Sequence, residues 1–166
     1  VVHRLDMETS GAVLFAKNPF ILPILNRLLE DKMIQRQYWA LTEGKFQTKK
    51  TVYKDKIGRD RHDRRKRVVD PRKGQSAYTT VTRLKTFEGA SLVNCQLKTG
   101  RTHQIRVHLS HHGHAILGDP LYSHQPVSRL MLHAHSLSFT HPLTLEKVTV
   151  KVKSESFEQV LRNHKS

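Results

Sequence analysis

The chain reads as an α+β domain. Strand-like alternation recurs from residue 36 to residue 152, and its clearest stretch, residues 76–98, has the form of a hairpin. Helical spacing of apolar residues is confined to short segments near 22–31, 102–112 and 157–161. At 166 residues this is one domain's worth of chain, with no internal repeat or low-complexity linker to mark a boundary. Residues 1–166 are therefore taken as a single domain. The chain opens on Val1 with no initiator methionine and reads as a fragment lacking an upstream part.

The elements follow in order. Gly11-Ala12-Val13-Leu14-Phe15-Ala16 is an apolar run of buried-strand length. Asn18 followed by Pro19 marks a helix start, and Leu22, Leu25, Leu28 and Leu29 carry the helix to about Asp31. Arg36 to Gly44 is a β-prone strand ended by glycine. From Lys54 to Lys73 basic residues crowd the chain, opposed only by Asp55, Asp60, Asp63 and Asp70. Without aromatics or amphipathic period, this segment reads as an exposed loop or mobile ribbon. Ser76 to Phe87 alternates, with Ala77, Thr79 and Val81 on one face and Tyr78, Thr80 and Thr82 on the other; Glu88-Gly89 turns, and Ala90 to Lys98 returns. Gly100 breaks that strand, and Thr102 is placed to cap a helix that carries Ile105 and Leu109 inward and His103 and Arg106 on a related flank. Ile116 to Tyr122 is turn-rich, Leu130 to His135 reads as a core strand running on toward Thr140, and His141-Pro142-Leu143 breaks it. Val148, Val150 and Val152 mark another strand, and Phe157, Val160 and Leu161 a short terminal helix.

Bulk properties narrow the function classes. A formal net charge of +15 and a pI near 10.3 attract polyanions, and nucleic acid is the usual partner for such a balance. No basic amphipathic helix with a broad apolar face argues for a membrane surface, no apolar run is long enough to span one, and residues 1–166 contain no signal-peptide pattern. Cys95 is the only cysteine, so no internal disulfide forms; in its alternating apolar run it reads as a buried small hydrophobe. These features favour a reducing, cytoplasmic setting.

Chemistry concentrates in two polar stretches. His3-Arg4-Leu5-Asp6-Met7-Glu8-Thr9-Ser10-Gly11 sets a carboxylate on a loop held by the apolar run behind it, a common place for ligand contact. Taken alone, Asp6 would more often cap or pair locally. Gly100-Arg101-Thr102-His103-Gln104-Ile105-Arg106 places two arginines at a strand-to-helix turn, suited to a phosphate or a carboxylate. His108, His111, His112 and His114 cluster, and His108 with His112 has the spacing of a helical zinc pair. No glutamate occupies the H-E-x-x-H place and the only cysteine lies in another strand, so these histidines read as a helix flank, and no metal is expected.

The pattern H-R-L-D-x-x-T-S-G resembles the catalytic motif of the RluA-type pseudouridine synthases. Tyr38-Trp39-Ala40, preceded by a basic residue and followed by Gly44, is similar to their second motif, although Arg36-Gln37 stands where lysine is common. Gly100 to His108 resembles their third motif nearly letter for letter. Gly118-Asp119-Pro120-Leu121-Tyr122, Leu132-His133-Ala134 and His141-Pro142 match further signatures in the right order.

The resemblance implies one mainly antiparallel, curved mixed sheet flanked by helices and loops, with a cleft across it. It implies isomerisation of uridine to pseudouridine in ribosomal or transfer RNA, by a monomer that needs no cofactor. Asp6 would be the catalytic aspartate, Tyr38 the tyrosine stacked on the target base, and Arg106 the arginine paired with Asp6. Arg4 would fill the space left by a flipped nucleotide. Arg101, His103, Arg64, Arg65 and Arg67 would contact RNA, the last three on an arm that grips it. Two rival readings are a non-catalytic RNA-binding module, which needs the charge but not Asp6, and a nuclease built on His103, His108, His111, His112 and His114.

Overall fold

The computed structural model describes residues 1–166 and is an α+β fold: a seven-stranded mixed sheet, a separate two-stranded ribbon and three helices. The strands are β1 (Ser10–Gly11), β2 (Gln35–Glu43), β3 (Lys50–Tyr53), β4 (Ile57–Arg59), β5 (Arg67–Val69), β6 (Thr79–Phe87), β7 (Ala90–Leu97), β8 (Leu132–Thr140) and β9 (Lys147–Lys151). The helices are α1 (Leu22–Glu30), α2 (Gln104–His111) and α3 (Glu155–Arg162). The large sheet runs β1-β8-β2-β7-β6-β3, with β9 also on β8, and β4 pairs with β5 outside it. Only the β1–β8 pair is parallel.

The expected hairpin is β6–β7, and one of the two alternating faces is turned inward: Ala77, Thr79 and Val81 are buried, as are Val93 and Cys95. The main core lies between this sheet, Ile105 and Leu109 of α2, and Phe157 of α3, which is fully buried. Ser154 starts α3 by accepting the Phe157 N–H. A second cluster joins α1 to β8 through Leu25, Ile34, Leu137 and Phe139.

Three expectations are overturned. The run from Gly11 to Ala16 is not a buried strand: only Ser10 and Gly11 ladder, opposite His133 and Ala134, and Phe15 is 62 % exposed. From Ser136 onward β9 pairs with β8, which ends the room for β1. Asn18 does not cap a helix at Pro19; its Oδ1 accepts the Phe20 and Ile21 N–H groups in a turn, and α1 begins at Leu22 with Pro23 in its first turn. Thr102 makes no cap bond to α2, whose cap position is His103 in the left-handed region. The basic 54–73 segment contains the β4–β5 ribbon and is rooted by Ile57, buried against Ala77 and Val107 of α2.

One buried and one half-buried histidine should make this fold acid-sensitive. His3 accepts the Leu14 N–H at Nε2, and burial, with the Arg36 charge, lowers its pKa to about 4. His135 stacks on Trp39 and bonds Asn94; burial, then the His133 and Lys151 charges, also lowers it to about 4. The folded chain therefore binds fewer protons than the unfolded chain below the ordinary value of about 6.5. Stability from these groups should be intact above about pH 6.5, fall progressively toward about pH 4, and be fully lost below that. Urea midpoints measured across this window should decline, and less steeply in a His3→Gln/His135→Gln protein; a flat wild-type profile would contradict the assignment.

Candidate active site

Two long-range pieces of sequence meet at one carboxylate. The Asp6 loop is closed by the Thr9 N–H on the Asp6 carbonyl at 3.0 Å and fastened by β1. Ser10 Oγ bonds His133 Nδ1 at 2.8 Å and accepts the Arg129 Nη2–H at 2.8 Å. Gly11 lies so close to β8 that a Cβ there would stand 2.4 Å from the Ala134 carbonyl oxygen. The serine and glycine after the aspartate thus anchor the loop rather than contact a ligand.

Arg106, in the first turn of α2, reaches that loop. Its Nη1 donates to Asp6 Oδ2 at 3.3 Å, while its Nε and Nη2 donate to the carboxylate of Asp119 at 2.8 and 2.7 Å. The Arg106 side chain is 5 % exposed, that of Asp119 fully buried and that of Asp6 26 % exposed. Burial alone would weaken the guanidinium's charge, but the Asp119 bonds and charge, with Asp6, outweigh it and raise its pKa. Asp119 is further satisfied by the Leu121 and Tyr122 N–H groups. The turn that does this passes through Gly118 at φ 75°, where a Cβ would collide with the Arg129 carbonyl at 1.9 Å.

His103 sits on the other side of Asp6, its Nε2 3.9 Å from Oδ1. Its Nδ1 lies 2.9 Å from the Tyr122 hydroxyl, which also accepts the Arg67 N–H at 2.8 Å. With Tyr122 donating to Nδ1, the ring proton sits on Nε2, facing Asp6. Burial and the Arg106 charge lower the His103 pKa. The Tyr122 ring also lies under the Arg106 guanidinium, 5.3 Å from its centroid.

Tyr38 is buried on β2, and burial, opposed by Arg36 and reinforced by Asp6, raises its pKa, keeping it a phenol. Opposite Tyr38, β8 carries an extra residue: Gln37 pairs with Ser136 but Trp39 with His133. Such a bulge re-aims side chains beside a site. Tyr38, Asp6 and Arg106 line one small pocket of about 60 Å³ with Leu132. This pocket shares Arg4, Arg101 and His103 with a large cleft of about 980 Å³. A second cleft of about 910 Å³, lined by Arg59, Arg61, Arg67, Arg72 and Lys73, shares Arg101 with the first.

The fold therefore gathers Asp6, Tyr38, Arg106, Arg4, Arg101 and His103 around one site. The arm arginines divide: Arg65 lines the large cleft but is paired with Asp63 at 2.8 Å, Arg67 lines the second cleft, and Arg64 is exposed and lines neither. Sequence reasoning matched the stretch around Asp119 to a family signature but gave that residue no role, and it gave none to Arg36, which lines the site with a buried Nε that has no partner. Three of the histidines behind the nuclease reading are engaged within the fold. His108 spends both ring nitrogens on Thr79 and the Asp55 carbonyl, His112 bonds the Asp55 carboxylate, and His114 bonds the Glu43 carbonyl.

A family model described as RNA pseudouridylate synthase matches residues 1–111. The chain is similar to the uncharacterized RNA pseudouridine synthase YhcT of Bacillus subtilis, 45 % identical over 154 residues that cover 90 % of this chain and 51 % of the relative. It is similar to ribosomal large subunit pseudouridine synthase D of Neisseria meningitidis, 39 % identical over 172 residues that cover 90 % of this chain and 43 % of that protein. The chain thus spans about half the length of the curated relatives it matches. Among solved structures, human RNA pseudouridylate synthase domain containing 1 superposes with a TM-score of 0.84 at 28 % identity, covering 99 % of this chain and 72 % of that one. By fold, by site motifs and by these relatives, the chain belongs to the RNA pseudouridylate synthase family, in its RluA-type branch.

Proposed function

We propose that residues 1–166 form the catalytic domain of an RNA pseudouridine synthase that acts on ribosomal or transfer RNA, with Asp6 as the reacting group. The observation that carries this reading is the unequal sharing of Arg106. Asp119 takes two short hydrogen bonds and fixes the guanidinium, while Asp6 receives one at 3.3 Å and keeps part of its surface open to the cleft. A carboxylate aimed by an arginine yet left partly open is what attack on a sugar carbon or removal of a sugar proton requires.

In the reaction the C1′–N1 bond of uridine breaks, the uracil turns, and C1′ joins C5; the proton lost from C5 balances the one gained at N1. A uridine in folded RNA must leave its stack to bring its sugar to Asp6. Tyr38, kept neutral by burial, offers a ring for the uracil to stack on and a hydroxyl that can relay the C5 proton by giving up its own to a base. Exposed Arg4 stands at the mouth, where it can occupy the space the nucleotide vacates. Arg36 and Arg101 supply cations for the phosphates on either side. Nothing in this scheme calls on a metal or cofactor, because the bonds made and broken need only proton transfer and a nucleophile or base.

Arg106→Lys keeps the charge but loses the planar fork that spans two carboxylates. Tritium release from RNA labelled at uridine C5, which reports the new carbon–carbon bond, should slow by at least ~10-fold while RNA affinity changes little. An equal fall in affinity would assign Arg106 to RNA binding instead.

Neutralising Arg64, Arg65 and Arg67 together to Gln should weaken RNA binding and flatten its salt dependence, by up to about 0.7–0.9 in log–log slope for each phosphate no longer neutralised. The Arg65 pair with Asp63 and the Arg67 bonds to the Arg64 and Lys66 carbonyls make the number of phosphates affected smaller than the number of charges removed. An unchanged slope would remove the ribbon from the RNA interface.

A further inference from the structure

We propose that Asp55, His111 and His112 form a site for a divalent transition-metal ion of the zinc type, which ties the root of the basic ribbon to the C-terminal end of α2. One carboxylate oxygen and one ring nitrogen from each histidine lie within 4.8 Å of one another. The donors come from two places in the fold: Asp55 lies between β3 and β4, while His111 is the last residue of α2 and His112 its cap. This cluster is at the far end of α2 from Arg106, outside the cleft that holds Asp6.

The surroundings set the donors in place. The His112 ring stacks on Tyr53 with centroids 4.1 Å apart and planes 2° from parallel, and its Nε2 is 2.6 Å from Asp55 Oδ2. His108, fully buried, accepts the Thr79 hydroxyl at Nδ1 and donates from Nε2 to the Asp55 carbonyl, both at 2.8 Å. Its nitrogens are thus used, so the helical His108–His112 spacing is not the metal pair; His108 instead holds the backbone of the carboxylate donor. The His111 ring is edge-on to His112, 5.0 Å away, and exposed, so it is free to turn toward the ion.

The donor chemistry selects the ion. Two imidazoles and a carboxylate suit zinc, nickel or copper rather than magnesium or calcium, which prefer all-oxygen shells. Tetrahedral zinc, with bonds of about 2.0–2.1 Å, needs donors about 3.3 Å apart. The His112–Asp55 pair, at 2.6 Å, is closer than that, and no pair of donors is more than 4.8 Å apart, so the pair must open slightly and the exposed His111 ring turn for all three to meet one ion. Water would complete the shell. Loading the site replaces the His112–Asp55 hydrogen bond with two bonds to one ion and adds His111, so the ribbon root becomes fixed to the helix that carries Arg106.

The test is calorimetric titration of zinc chloride into the intact, tag-free protein, with cobalt(II) absorption as the reporter of tetrahedral geometry. One zinc per chain should bind. His111→Ala removes an exposed ring and should weaken binding by at least ~10-fold without changing the melting temperature of the metal-free protein. Asp55→Ala should weaken it likewise, while His124→Ala, an exposed histidine outside the cluster, should leave it unchanged. Zinc should also slow amide exchange in residues 55–70 of the wild type but not of His111→Ala. Affinity unaffected by His111→Ala, or lost equally in His124→Ala, would overturn the site, as would cobalt spectra lacking the tetrahedral bands.

Discussion

A single guanidinium shared between two carboxylates governs this site. Asp119 is fully buried, and an isolated buried carboxylate would be too costly to keep charged. It is kept by two hydrogen bonds from Arg106 and two from the backbone of its own turn. That commitment aims Arg106 so that only Nη1 remains for Asp6. Of the two carboxylates facing this guanidinium, Asp6 is the more exposed and is the one able to meet a substrate. Much of the nearby architecture maintains this arrangement: the β1 anchor of the Asp6 loop, the turn through Gly118, and the buried first turn of α2.

The same helix joins the site to the basic surface. Arg106 near its start faces Asp6, Val107 roots the ribbon through Ile57, and His108 and His112 hold Asp55 at the ribbon's base. Tyr122 links the two regions again, with its hydroxyl taking the Arg67 N–H and bonding His103. The posture of the ribbon and the geometry around Asp6 therefore share supports.

Much of this was legible in the sequence where local pattern suffices. The β6–β7 hairpin followed from strict alternation and a glycine turn, and the inward face of α2 from Ile105 and Leu109. The motifs around Asp6, Tyr38 and Arg106 led to residues that do meet, although Asp6 and Arg106 are 100 positions apart. Illegible features depend on tertiary competition. The apolar run after Gly11 looked like a strand because nothing local reveals that β9 takes its place on β8. Asp119 looked like a turn residue, which it is, and its second role exists only because Arg106 is folded against it. The bulge opposite Tyr38 depends on the register of two distant strands and leaves no local trace.

The central claim is that Asp6 performs the chemistry and that its neighbours prepare it. The direct measurement is single-turnover tritium release from C5-labelled uridine RNA by an Asp6→Asn protein, with RNA affinity and folding measured on the same sample. The amide retains the size of the acid and an acceptor for Arg106 Nη1, but it is neither nucleophile nor base. Since Arg106 keeps Asp119, the stability loss should stay within about 1–3 kcal/mol. The account predicts a folded protein that binds RNA nearly as tightly as the wild type and releases no tritium. Full release from a verified Asp6→Asn protein would contradict it.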